Sequence, residues 1–107
     1  MSDRGILDPS EDGSGQPPRR KGIKAIVKGE VQGVNYRTAT QLQAQTEGLN
    51  GYVRNLPDGG VEVLLVGESA AVDRVVEWLW QGPPKAQVSD VEVEEIPADE
   101  HDGFKVL

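Results

Sequence analysis

The chain contains no cysteine, and that absence removes disulfides, thiolate metal sites and thiol nucleophiles together. It has one histidine, His101, set among Asp99, Glu100 and Asp102, where it reads as an exposed loop residue. No Cys–His pair and no Ser–His–Asp arrangement is therefore in view. No apolar run approaches the roughly 18 to 20 residues needed to cross a bilayer, and the first residues lack the basic-then-apolar layout of a signal peptide. The cytoplasm is the expected compartment, with no membrane partner. Aromatic residues make up only 5% of the chain, and the strand-like stretches around Ile23 and Val61 hold none. A sheet that reads RNA by stacking bases would need them.

What is present is acid. Formal charge is −7, and residues 1–22 contribute nothing to it, because Asp3, Asp8, Glu11 and Asp12 cancel Arg4, Arg19, Arg20 and Lys21. The remaining body holds 14 acids against 7 Lys and Arg. Such a surface repels a polyanion and argues against nucleic acid as a partner. A small anion is still compatible with it if a local pocket of backbone N–H groups exists.

With 107 residues, the chain is long enough for one core and too short for two. Residues 1–22 are Gly, Pro, Ser and charge without periodicity, which reads as a disordered extension ahead of a body at 23–107. Ile23, Ala25 and Val27 alternate with Lys24, Ile26 and Lys28, a strand pattern. After a loop at 29–36, residues 37–47 contain neither Gly nor Pro and predict a helix with a thin stripe of Ala39, Leu42 and Ala44. Gly48 is placed to end it in the left-handed conformation. Residues 50–55 and 61–66 read as strands joined by the turn Leu56-Pro57-Asp58-Gly59-Gly60, a hairpin.

The second helix is signalled by Val72, Val75, Val76 and Leu79 at i, i+3, i+4 and i+7, with Ser69 as its cap and Gly82-Pro83-Pro84 as its stop. Residues 88–96 form a strand with one wet face, near a sheet edge, whose Glu92 and Glu94 read as solvated charge. Residues 104–107 supply a last short strand. The order is β-α-β-β-α-β with an extra C-terminal strand. That predicts an α+β fold of the ferredoxin-like, split-βαβ kind, with two helices on one face of a mixed or antiparallel sheet.

The junction between first strand and first helix, Gly29-Glu30-Val31-Gln32-Gly33-Val34-Asn35-Tyr36-Arg37, is where chemistry is expected. A glycine-bearing loop entering a helix N-terminus turns successive N–H groups toward one point and adds partial positive charge, so it suits an anion, and Arg37 is placed to close over it bidentately. The Gly-Lys-Ser/Thr ending of a nucleotide-binding P-loop is missing. The residues alone leave the other reading open: an ordinary glycine turn with Arg37 solvated on the helix. Asn55, just before a Pro-Asp-Gly turn, on its own reads first as a tie for strand and loop hydrogen bonds.

The string Gly29-x-Val31-Gln32-Gly33-Val34-x-Tyr36-Arg37, then Ala44, Gly48-Leu49-x-Gly51-Tyr52-Val53-x-Asn55, then Asp58-Gly59 and Val61-Glu62-Val63, resembles the acylphosphatase family, with Asn55 following Arg37 by 18 positions. The resemblance continues through Gly67, Gly82-Pro83-Pro84 and Gly103-Phe104, covering residues 23–107. It implies a metal-free, cofactor-free hydrolase that splits acyl phosphates (carboxyl-phosphate anhydrides) to carboxylate and inorganic phosphate, the latter also an inhibitor. It also implies that Gln32, Gly33, Val34, Asn35, Tyr36 and Arg37 cradle the phosphate, that Arg37 binds the phosphoryl group, and that Asn55 orients water. A monomer is expected. Tyr36 stands where the family usually has Phe, so its hydroxyl needs a partner. Ala39 and Glu47 replace bulkier apolar residues, so a looser first helix is expected.

Overall fold

A computed structural model of the chain describes residues 19–107. The elements run β1 (Arg20–Glu30), α1 (Tyr36–Thr46), β2 (Asn50–Asn55), β3 (Val61–Glu68), α2 (Ser69–Leu79), β4 (Gln87–Ile96) and β5 (Phe104–Val106). The sheet order is β4-β1-β3-β2-β5. β3 lies antiparallel between β1 and β2, and β1 lies antiparallel between β3 and β4, so each β-α-β unit is split by an inserted strand. Among the described residues only the β2–β5 pair is parallel, which makes the sheet mixed.

Alternation along the strands sorts the core. Ile23, Ala25 and Val27 of β1, aligned with Leu65, Val63 and Val61 of β3, are buried beneath the helices together with Val53, Val72, Val75 and Leu79. On the other face Glu62 is almost buried, with Tyr52 donating to its Oε2 and Arg54 Nη2 lying 3.1 Å from Oε1. Burial works against its charge, but these donors outweigh it and hold the carboxyl below its ordinary range. The seven-residue connection 97–103 takes the chain from one sheet edge to the other. It packs so closely on this face that a Cβ at Gly22 would lie 2.7 Å from the Pro97 carbonyl oxygen.

Several details depart from the sequence reading. β1 begins at Arg20, three residues early, because Arg20, Lys21 and Gly22 pair with Glu68, Gly67 and Val66 and Lys21 Nζ lies 2.9 Å from Asp73 Oδ1. Residues 20–22 therefore join the body, and residues 1–18 of the expected extension lie outside the described residues. Ser69 is the first residue of α2 and not its cap; the extended Glu68 precedes it, and the Ser69 N–H donates to the Arg19 carbonyl at 2.8 Å. The incoming strand thus satisfies an open donor that a capping side chain would otherwise take.

The buried face of α1 is Tyr36, Thr40 and Ala44, whereas Leu42 is 63% exposed. Tyr36 sets that phase, since its ring is packed in the core and successive buried positions follow it at i+4. Thr40 is fully buried, and its hydroxyl has no hydrogen-bond partner among the described residues. Glu47, in contrast, is used: it accepts from Arg74 of α2 at 2.8 and 3.0 Å. The end of α1 follows expectation, with Gly48 at φ 73° and the Gly48 and Leu49 N–H groups returning to the Gln45 and Ala44 carbonyls.

Candidate active site

The loop after β1 delivers the chain to α1 through two left-handed residues, Gly33 at φ 76° and Asn35 at φ 69°. Asn35 is the one non-glycine residue of positive φ among the described residues, and asparagine tolerates that region better than most. Left-handed residues at every second position turn successive N–H groups inward, a shape that holds anions. Among the described residues, no protein acceptor takes the main-chain N–H groups of residues 32–38. Several of them open α1, where the helix adds its partial positive charge.

A pocket of about 140 Å³ sits in this bend, lined by Val31, Gly33, Asn35, Tyr36, Arg37, Thr38 and Asn55. Arg37 reaches it from the first turn of α1, and Asn55 from the last position of β2, opposite Val61. One guanidinium nitrogen, Nη1, donates to the Leu107 main-chain oxygen at 2.7 Å, and Leu107 is itself held by its N–H on Val53 at 2.9 Å. That anchor orients the guanidinium plane.

The sequence-derived residues divide by role. Gly33, Asn35, Tyr36, Arg37 and Asn55 line the pocket together. Val34 lines a neighbouring cavity instead. The Gln32 side chain turns away, its Nε2 donating to the Leu56 carbonyl at 2.8 Å and the Gly60 carbonyl at 2.7 Å, so it clamps the cradle loop to the turn that follows Asn55. The Tyr36 hydroxyl finds its partner in the Leu79 carbonyl at the end of α2, 2.7 Å away, and burial pushes the phenol pKa up, so it stays protonated and is no base. His101 is exposed on the 97–103 connection and lines a separate cavity beside Tyr52 and Lys105. Thr38 and Val31 belong to the pocket without having been singled out. For Thr38 the signal was available, as it occupies the first turn of a helix whose N–H groups lack acceptors.

The acylphosphatase family model matches residues 23–106. The chain belongs to the acylphosphatase family. An acylphosphatase of Chromohalobacter salexigens is 66% identical over 73 residues, 68% of this chain and 81% of that protein. Among solved structures, an acylphosphatase from Coxiella burnetii superposes with a TM-score of 0.80 at 40% identity, covering 82% of this chain and 93% of that one. The Bacillus subtilis acylphosphatase gives 0.79 at 36% identity, covering 81% and 98%. Against that family the clamp at Gln32 has a readable consequence. Gln32→Ala, and equally Gln32→Glu, which cannot donate to two carbonyls, should lower kcat about tenfold by loosening the cradle relative to Asn55. Steady-state kinetics well below the melting temperature checks it, because a clamp that only stabilises the fold would lower Tm and leave kcat alone.

Proposed function

We propose that this acylphosphatase hydrolyses acyl phosphates in the pocket between the 31–38 loop and Asn55. The N–H groups of the loop and Arg37 hold the phosphoryl oxygens, and Asn55 aligns the attacking water. The observation that carries this reading is the gathering of open N–H donors, a guanidinium and an amide side chain around one small pocket.

The chemistry asks little more. The water oxygen bonds to phosphorus, the bond from phosphorus to the acyl oxygen breaks, and the carboxylate leaves with the electron pair. Starting from the phosphate dianion, both water protons end on dihydrogen phosphate. A carboxylate is weakly basic and departs without an acid to protonate it. Catalysis then consists of positioning and of neutralising charge on the equatorial oxygens, which preoriented donors do without reorganising. No base is needed at the water, in keeping with a pocket whose lining holds no carboxylate or imidazole.

This reading takes the enzyme to act alone, as a cytoplasmic monomer without nucleic acid; among the described residues no helix is long and apolar enough to span a membrane. Inorganic phosphate should inhibit competitively, since product and substrate phosphoryl share one cradle, and turnover of acetyl phosphate should be unchanged by a chelator. Loss of activity in chelator that magnesium restores would overturn the mechanism, and noncompetitive phosphate inhibition would move the anion to another site.

A further inference from the structure

Beside the phosphate pocket lies a larger cavity of about 410 Å³, lined by Gly33, Val34, Asn35, Pro83, Pro84 and Lys85. Its size falls within the roughly 300 to 1,000 Å³ of small-molecule sites. Gly33 and Asn35 line both spaces, so the cradle loop forms a shared wall. Asn55 lines only the smaller one. The water placed at Asn55 therefore lies outside the larger cavity, which leaves that cavity free for the leaving group of an in-line displacement.

We propose that this cavity receives the acyl chain, and that Lys85 makes the enzyme favour acyl phosphates whose chain ends in a second anionic group. The proposal rests on the phosphate placement given above. Val34 and the two prolines offer a wall suited to methylenes, and the proline rings are rigid, so little freedom is lost when a chain packs on them. Lys85 is the one charged residue in that lining. It stands out on a body holding twice as many acids as bases, whose net field opposes a substrate carrying a second anionic group. Lys85 is also exposed, so the selectivity it confers is moderate and sensitive to salt.

The test compares succinyl phosphate, whose acyl chain ends in a carboxylate, with acetyl phosphate in the wild type, Lys85→Glu and Arg20→Glu. Arg20, exposed at the far end of β1, makes the same change in net charge away from the cavity. In Lys85→Glu the succinyl-to-acetyl ratio of kcat/KM should fall about fivefold to tenfold at low salt, mostly through KM, because a weak attraction becomes a repulsion of similar size. Acetyl phosphate turnover should stay within about twofold, and the difference should fade in about 0.5 M salt. A ratio that does not move, or that moves equally in Arg20→Glu, overturns the proposal while leaving the phosphate site standing. A wild type that fails to hydrolyse acetyl phosphate overturns both.

Discussion

Arg37→Lys is expected to lose phosphate affinity and turnover together, with kcat/KM for acetyl phosphate falling by roughly two orders of magnitude or more. Arginine presents a planar fork of donors, and one arm, Nη1, is already committed to the Leu107 main-chain oxygen. The remaining N–H groups are left to meet two phosphoryl oxygens from a plane that this anchor fixes. A lysine ammonium is a point charge on a flexible stem; it cannot hold Leu107 and reach the phosphate at once. The loss should show in the ground state as well as the transition state, so the inhibition constant for phosphate should rise along with the fall in kcat. Circular dichroism on the same sample controls for folding, since Arg37 is partly buried. Wild-type phosphate inhibition in a folded Arg37→Lys enzyme would place the anion elsewhere and remove the basis for the site.

The features that were legible in the sequence are those carried by neighbours along the chain. The alternation in β1, the strand at 61–66, the Asp58-Gly59 turn and the i, i+3, i+4, i+7 spacing of α2 each lie within a short stretch of chain, and the structure has a strand, a turn or a helix at each of them. Arg37 and Asn55 were legible as a pair only through the 18-residue spacing that the family shares, since neither residue type alone separates a substrate contact from a solvated side chain. What was missed depends on contacts made after folding. Leu42 looked like core because leucine usually is, yet the phase of α1 is set by Tyr36, whose hydroxyl answers to a carbonyl 43 residues away. The Gln32 clamp reaches 24 and 28 residues along the chain and the Arg37 anchor reaches 70, distances over which no local pattern carries information. The charged residues 20 and 21 read as leader because their partners, the end of β3 and Asp73, come from segments much later in the chain.

Asn55→Ala should separate chemistry from binding. If the amide holds the attacking water and contributes little to holding phosphate, kcat falls by roughly two to three orders of magnitude, equivalent to about 2.7 to 4 kcal/mol, while the inhibition constant for phosphate stays near wild type. The competing role for Asn55 is to tie down the turn after β2, and the structure offers that role little to do. The turn is closed by Leu56 N–H to the Gly60 carbonyl at 2.8 Å, Gly59 N–H to the Leu56 carbonyl at 3.1 Å and Gly60 N–H to Asp58 Oδ1 at 3.0 Å, with the Gln32 amide added from outside. The Asn55 side chain makes no hydrogen bond to any described residue and lines the pocket. A tie would instead cost about 1 to 2 kcal/mol of stability on truncation and spare kcat in an assay run well below Tm. Measuring kcat, phosphate inhibition and thermal unfolding on this one variant decides between them. Near-normal turnover by a folded, phosphate-binding Asn55→Ala enzyme would eliminate the water-positioning role, whereas a large fall in kcat at unchanged phosphate inhibition and unchanged Tm would leave the amide no role but in the transition state.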